Sequence, residues 1–308
     1  MLVNGSNCSI VIKTAHFEKD IPYSDETMRE AVSFLQEEAS IEGNGACRGL
    51  RKTSGVTGCV VTPLTIGTAP LLLYLAMGAA GNPVFISETR NLYQYRLDLL
   101  PMEDMDHFDL IQERGGERKL IEACRVQGFE LRILRGEAIK LKLDIFGECA
   151  PRVYPYADIF EKEQGERFSG DCVSYKINGK EYKNIYGITL ASKKIGGTKT
   201  ELWIKRTKEQ GPDIPENIEE MTITAQLLRD AYGPSGRTGE EGYYGSHSAA
   251  FLNENRYYGT FRITINKLVF ISDETEVNAS GAVMGPVRYY VAGTVSTEVF
   301  SSTGEIIP

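Results

Sequence analysis

Apolar and polar residues alternate with a period of two along much of this chain, most clearly over residues 129–145. Phe129, Leu131 and Ile133 alternate with Glu130 and Arg132; beyond Arg135-Gly136-Glu137, the residues Ile139, Leu141, Leu143 and Ile145 alternate with Lys140, Lys142 and Asp144. A period of two puts one apolar face inward and one charged face toward water, and the glycine between the runs supplies the turn, so the pattern predicts a β-hairpin. One stretch breaks this rhythm. Thr68-Ala69-Pro70 opens the apolar run Leu71-Leu72-Leu73-Tyr74-Leu75-Ala76-Met77, and Gly78 closes it. Threonine can cap a helix, proline is tolerated in its first turn and glycine suits its end, which predicts a short buried helix packed on a sheet.

The remaining pattern is mostly strand-like. Residues 10–12 and 58–64 read as strands, and Tyr93, Tyr95, Leu97 and Leu99 mark another. Between residues 24 and 39, Met28, Ala31, Val32, Leu35 and Ala39 recur at helical spacing behind Ser24, which predicts a helix; a long β arm would use the same residues. The Gly-rich link Gly43-Asn44-Gly45 follows. Pro151 and Pro155 mark a linker, and with it a boundary between residues 1–150 and 151–308. In the second half, Val173, Tyr175 and Ile177 precede the hairpin signal Asn178-Gly179, and residues 185–192 are expected to pair with 200–206 across Gly196-Gly197. Phe261, Ile263 and Ile265 form one alternating run; Val287, Tyr289 and Val291 form another. Residues 234–248, rich in Gly, Ser and Tyr, read as a long mobile loop that is functional or orders on binding. Thr224-Ala225-Gln226-Leu227-Leu228, ending at Gly233, weakly echoes Thr68-Ala69-Pro70-Leu71-Leu72, ending at Gly78. The fold class expected is mainly β, a β-sandwich or barrel with one or two flanking short helices. The second half completes or duplicates the first, giving two β subdomains in the latter case.

Composition narrows the function classes. With 308 residues, 42% of them hydrophobic and 25% charged, the chain buries a full core and has an ordinary globular composition. The formal net charge of −8 disfavours conventional DNA or RNA binding, where Lys and Arg must neutralise phosphates. An acidic surface is, however, what lets DNA slide past without sticking. The longest apolar run, near residues 71–80, is too short to span a bilayer, and residues 1–5 lack the features of a signal peptide. Cys8, Cys47, Cys59, Cys124, Cys149 and Cys172 show neither CxxC nor metal-ligand spacing, so reduced thiols in a cytosol-like compartment are expected.

Candidate chemistry is sparse. Asp104, Asp106, His107 and Asp109 are the densest group of metal-ligand types, but they lack a calcium-loop pattern and read as a solvated acidic loop. Gly43, Gly45 and Gly49 miss the spacing of a dinucleotide loop, and Gly236-Arg237-Thr238 has Arg where a phosphate-binding loop needs Lys. Ser246-His247-Ser248 sets a nucleophile beside a base in sequence without the turn that would present it. With His16, His107 and His247 as the only histidines, no convergent acid/base set emerges. The expectation is a protein that is not an enzyme, with no catalytic, cofactor-binding or metal residues. The lone Trp203, between Leu202 and Ile204, reads as a packing residue.

The order of segments resembles the tail tube proteins (major tail proteins) of long-tailed, siphovirus-like bacteriophages. The resemblance lies in Arg48-Gly49-Leu50-Arg51-Lys52 leading to the Gly58-Cys59-Val60-Val61 strand, then Ala69-Pro70-Leu71-Leu72-Leu73-Tyr74 with Gly78. An aromatic strand over 92–99 follows, and then Gly128-Phe129-Glu130-Leu131 with the return over 140–147. It covers roughly residues 40–150, with looser agreement over 173–299, and is a pattern of segment types. It implies a tail-tube-like β-sandwich or barrel flanked by a helix, and a structural virion protein that self-assembles into rings of six-fold or pseudo-six-fold symmetry. Stacked head to tail, such rings form the tube through which DNA passes into the host without specific binding. The implied partners are further copies of the chain, a tape measure protein and tail terminator and tip proteins, with no membrane and no cofactor. The implied location is the virion tail of a phage or prophage, assembled in the bacterial cytoplasm. The longer second half departs from the pattern and leaves open a hexamer or a three-fold ring. Residues 22–52 and 234–248 are the candidate assembly segments. The alternative class is a non-enzymatic, two-domain β-sandwich binding or surface protein that uses Tyr243, Tyr244, Tyr257 and Tyr258 for recognition.

Overall fold

The computed structural model describes residues 8–14, 18–36, 49–80, 83–87, 92–100, 106–147, 151–155, 165–173, 175–177, 180–182, 185–195, 220–230, 245–251, 259–273, 276–277, 283–291 and 294–301. Strands dominate, as the alternation requires. In chain order they are β1 (Cys8–Lys13), β2 (Glu18–Asp20), β3 (Asp25–Glu26), β4 (Arg29–Gln36) and β5 (Gly49–Pro63), then the helix α1 (Ala69–Met77). After it come β6 (Gly78–Ala80), β7 (Val84–Ser87), β8 (Leu92–Leu99), β9 (Phe108–Arg114), β10 (Glu117–Leu134), β11 (Lys140–Gly147) and β12 (Arg152–Val153). The second half adds β13 (Tyr175–Ile177), β14 (Lys180–Tyr182), β15 (Ile185–Ile195), β16 (Glu220–Asp230), β17 (Gly245–Phe251), β18 (Gly259–Asp273), β19 (Glu276–Val277), β20 (Val283–Val291) and β21 (Val295–Ser301). The fold is mainly β, and the pairings between these strands are antiparallel.

The main ladder runs β4, β5, β11, β10, β15, β16, β20, β18, β21, β8, with β6 and β7 both on the far edge of β8. Two long strands change partners along their length. The first part of β10 pairs with β9, which continues to β1 and β2, while its second part lies between β11 and β15. The first part of β18 pairs with β17 and β21, its last part with β20. Among the described residues, the pairing followed from β4 to β8 does not return to a strand already used. Pairs β10–β15 and β21–β8 join residues on either side of the Pro151–Pro155 segment.

One apolar cluster extends from Ile10 to Val299 and contains α1. Every residue of α1 is buried, and the helix packs on β6, β8, β10 and β21. A helix with no polar side has to lie inside a core, so its sequence fixes its place. Gly78 ends it at φ +94°, where its N–H donates to the carbonyl of Tyr74. Thr68 stands at the N-cap but does not cap through its side chain; its hydroxyl lies 2.8 Å from that of Thr65, which also accepts the Thr68 N–H. The 129–145 hairpin forms as β10–β11, with Leu141, Leu143 and Ile145 buried and the residues between them partly exposed.

Four expectations from the sequence are altered. Residues 25–36 form β3 and β4, not a helix, because β5 is long enough to offer them an edge. Residues 185–192, expected to pair across Gly196-Gly197, have β10 on one edge and β16 on the other, and a strand has only two edges. The echo of the helix at 224–228 falls within β16 and is a strand. The expected loop over 234–248 includes the start of β17 at Gly245. Residues 200–206, with Trp203, and 234–244 lie outside the described residues. The hairpin expected at Asn178-Gly179 is flanked by paired β13 and β14, with Ile177 opposite Lys180; the two turn residues are themselves outside the described set.

Candidate assembly surface

Two features stand at opposite ends of the main ladder. At one end, β5 outruns its neighbour β11, whose last residue, Gly147, pairs with Val56. Before Val56, β5 is paired with β4 alone among the described residues, from Thr53 opposite Val32 to Gly49 opposite Gln36. The two strands therefore leave the sheet as a two-stranded ribbon. Its departure point is a β-bulge: β5 carries an extra residue, Ser54, opposite the step from Ala31 to Val32. Gly55 follows at φ +135°, and a Cβ there would stand 2.3 Å from the carbonyl oxygen of Gly147. Only glycine meets both demands.

The root of the ribbon is tied to β9 by charge. The Glu26 side chain is only 8% exposed and accepts from Arg114 through Nε (3.1 Å) and Nη2, from Gln112 Nε2 (2.8 Å) and from the Met28 N–H. Arg114 also donates to the carbonyl of Met28 at 3.2 Å. A buried carboxylate is tolerable when donors surround it in this way, and the forked guanidinium fixes its orientation. Beside it, burial raises the Tyr23 phenol to about 12, with Cys8 and Glu26 adding to the shift. Glu26 and Arg114 are 88 residues apart, so no local spacing in the sequence signals them.

At the other end of the ladder, β7 pairs with β8 on one edge and exposes its apolar side chains: Val84 is 60%, Phe85 46% and Ile86 47% exposed. The Phe85 ring leans on Tyr93 with centroids 5.1 Å apart. Adjacent exposed apolar residues on a sheet edge are a pairing surface unless something covers them. The run Val84-Phe85-Ile86 after Pro83 is a signal the sequence reading passed over.

The sequence-derived chemical candidates do not converge. Asp106 accepts from the Tyr74 hydroxyl, His107 Nε2 accepts from Arg125 Nε, and Asp109 Oδ1 accepts the Ala123 N–H at 3.1 Å. Three neighbours thus serve three separate structural ends, the last of them a bulge of β10 with Ala123 at φ +53°. Among the described residues, no group of three or more His, Cys, Asp or Glu side chains could hold a metal ion. Ser246, His247 and Ser248 are consecutive positions of β17, and Gly49 opens β5. Asp104, Gly43, Gly45, the 236–238 stretch and the four recognition tyrosines lie outside the described residues. Cys8, Cys59 and Cys124 are not joined in disulfides. No helix of the described residues is long and apolar enough to cross a membrane. Compared with known proteins, the chain matches no protein-family model and no curated protein.

Proposed function

We propose that the chain is a structural subunit that polymerises with copies of itself, in the manner of the phage tail tube proteins its segment order resembles. The observation that supports this best is the strand ladder, which among the described residues is unclosed and ends in a ribbon at β4–β5 and an exposed apolar strand at β7. Such ends on one molecule favour a heterologous contact, and heterologous contacts generate rings where the rotation closes and filaments where it does not. In this reading, rings of six-fold or pseudo-six-fold symmetry stack into a virion tail tube, built in the bacterial cytoplasm with a tape measure protein inside and terminator and tip proteins at its ends. DNA crosses the lumen without specific binding, which the formal net charge of −8 suits. The subunit has no catalytic role, no cofactor and no membrane partner.

Negative-stain electron microscopy of the purified protein over a range of concentrations, with light scattering for mass, tests the proposal. Rings or hollow tubes of uniform diameter are the expected result and give the subunit number. A monomer or dimer at every concentration, also after addition of a tail-tip initiator, would overturn it in favour of a binding protein with two β-sandwich domains.

A further inference from the structure

We infer that residues 18–27 are a strap that opens as one unit, and that Glu26 is the residue that keeps it shut. The inference stands apart from the self-assembly reading above. The strap crosses from β1 to β5, and the ladder holds it thinly at both ends. Glu18, Lys19 and Asp20 pair with β1, opposite Lys13, Ile12 and Val11; Asp25 and Glu26 pair with β5, opposite Val61 and Val60. By comparison, β5 and β11 are paired all the way from Val56 to Pro63. Between and beyond its two short strands, the strap is tied by Ile21 N–H to the carbonyl of Ile10 (2.9 Å), Ser24 N–H to that of Val61 (2.8 Å) and Thr27 N–H to that of Cys59 (3.0 Å). Thr62 Oγ1 donates to the Pro22 carbonyl at 2.6 Å, and Lys19 Nζ to that of Gly67 at 3.2 Å. A segment with so few ladder bonds opens locally, at a free energy below that of global unfolding. Ile21 is only 2% exposed, so opening uncovers apolar surface and the open form is a minor one.

The lock lies outside the ladder. Glu26 accepts from Gln112 and Arg114 of β9, a strand that among the described residues pairs with β1 and β10 and with neither part of the strap. Bonds to an ionised carboxylate are the stronger kind, and these reach across the strap to a third strand. Without the carboxylate, Gln112, itself 7% exposed, loses its acceptor, and a buried donor left unpaired is costly. Each end of the strap also covers a cysteine. Cys8 of β1 is hydrogen-bonded to the Tyr23 hydroxyl. Cys59 of β5 donates its N–H to Thr27 Oγ1 at 3.0 Å, and its Sγ lies 3.2 Å from the same oxygen. Both cysteines are half-buried. Opening removes both neighbours in a single event, and leaves β1 with β9 alone among the described residues, which turns a paired strand into an edge. The strap is in this way a gate on two thiols and one strand edge. Cys124, wholly buried in the main cluster with its Sγ 3.4 Å from the Ile121 carbonyl, is the control within the same molecule.

The test follows hydrogen exchange and N-ethylmaleimide labelling in the full chain, without denaturant and resolved to single residues by mass spectrometry. In the parent, the amides of Ile21, Ser24 and Thr27 are expected to exchange with one common protection, well ahead of the amides of the 129–145 hairpin. In Glu26→Gln, those three amides and the labelling of Cys8 and Cys59 should all quicken by one shared factor, about tenfold or more, while the hairpin amides and Cys124 stay unchanged. Far-ultraviolet circular dichroism checks that the variant folds. Arg114→Lys, which keeps the charge and loses the fork, is expected to quicken the same amides by a smaller factor and supplies the comparison should Glu26→Gln not fold. If the three parent amides exchange at unrelated rates, or together with the hairpin, the strap does not open as a unit and the inference is overturned, whatever the variants do. It is equally overturned if the variants quicken only Cys8, since Glu26 then acts on its neighbour alone, or if they quicken neither thiol nor any strap amide.

Discussion

Tyr74 shows how a single polar atom is accommodated in an otherwise apolar helix. Its ring is buried, and its hydroxyl reaches Asp106 at the protein surface. Burial first, and the bond to Asp106 second, raise the phenol well above its ordinary value of 10.0. A raised value means that the folded state holds the proton more tightly than the unfolded chain. The resulting stabilisation is complete below pH 10 and disappears as pH rises from there through the folded value. Between pH 9 and 12 the urea midpoint of the parent should therefore fall more steeply than that of Tyr74→Phe, which has no proton to lose; parallel slopes would contradict this. The alternation of apolar residues reveals that Tyr74 belongs to a buried helix, but not that Asp106 receives it, since the two are 32 residues apart. The same holds for Glu26 and Arg114. Side-chain pairs made by tertiary folding leave no local pattern to read.

At the level of elements, legibility follows burial. The helix was legible because its run has no polar side and is bounded by Pro70 and Gly78. Leu72, wholly buried within it, is expected to cost about 2–5 kcal/mol when changed to Ala. Chemical denaturation checks that figure, and a loss below about 1 kcal/mol would mean that the core collapses around the gap. The 129–145 hairpin was legible only in part. The strand β10 begins at Glu117, yet alternation is clean only from Phe129, because bulges near Ala123 and Gln127 each add a residue and reset which parity faces inward. The start of β4 was misread for a related reason. Arg29 and Glu30 are consecutive and both exposed, so there is no core face there to impose a period of two. A strand of that kind can take helical spacing by accident. The exposed strand β7 was overlooked because four residues are too few to establish a period.

For the whole molecule, the ladder binds the two halves of the sequence into one core. β21 pairs with β8 and β15 pairs with β10 across the Pro151–Pro155 segment, and Val295 and Val299 are buried in the same cluster as α1. Residues 1–150 and 151–308 expressed separately are therefore expected to lack a cooperative thermal transition, each leaving long strand edges and apolar faces open. Mixing or co-expression should restore the transition. A sharp melt for 1–150 alone would show instead that the first half closes its own core. The same ladder sets a timetable for synthesis. About 200 residues separate the end of β8 at Leu99 from the start of its partner β21 at Val295. At the usual pace of translation they take roughly 10–40 s to appear. Throughout that interval the nascent chain displays one side of its most apolar helix uncovered, so its yield in a cell should depend on holding chaperones, and on temperature, more than its finished stability would indicate.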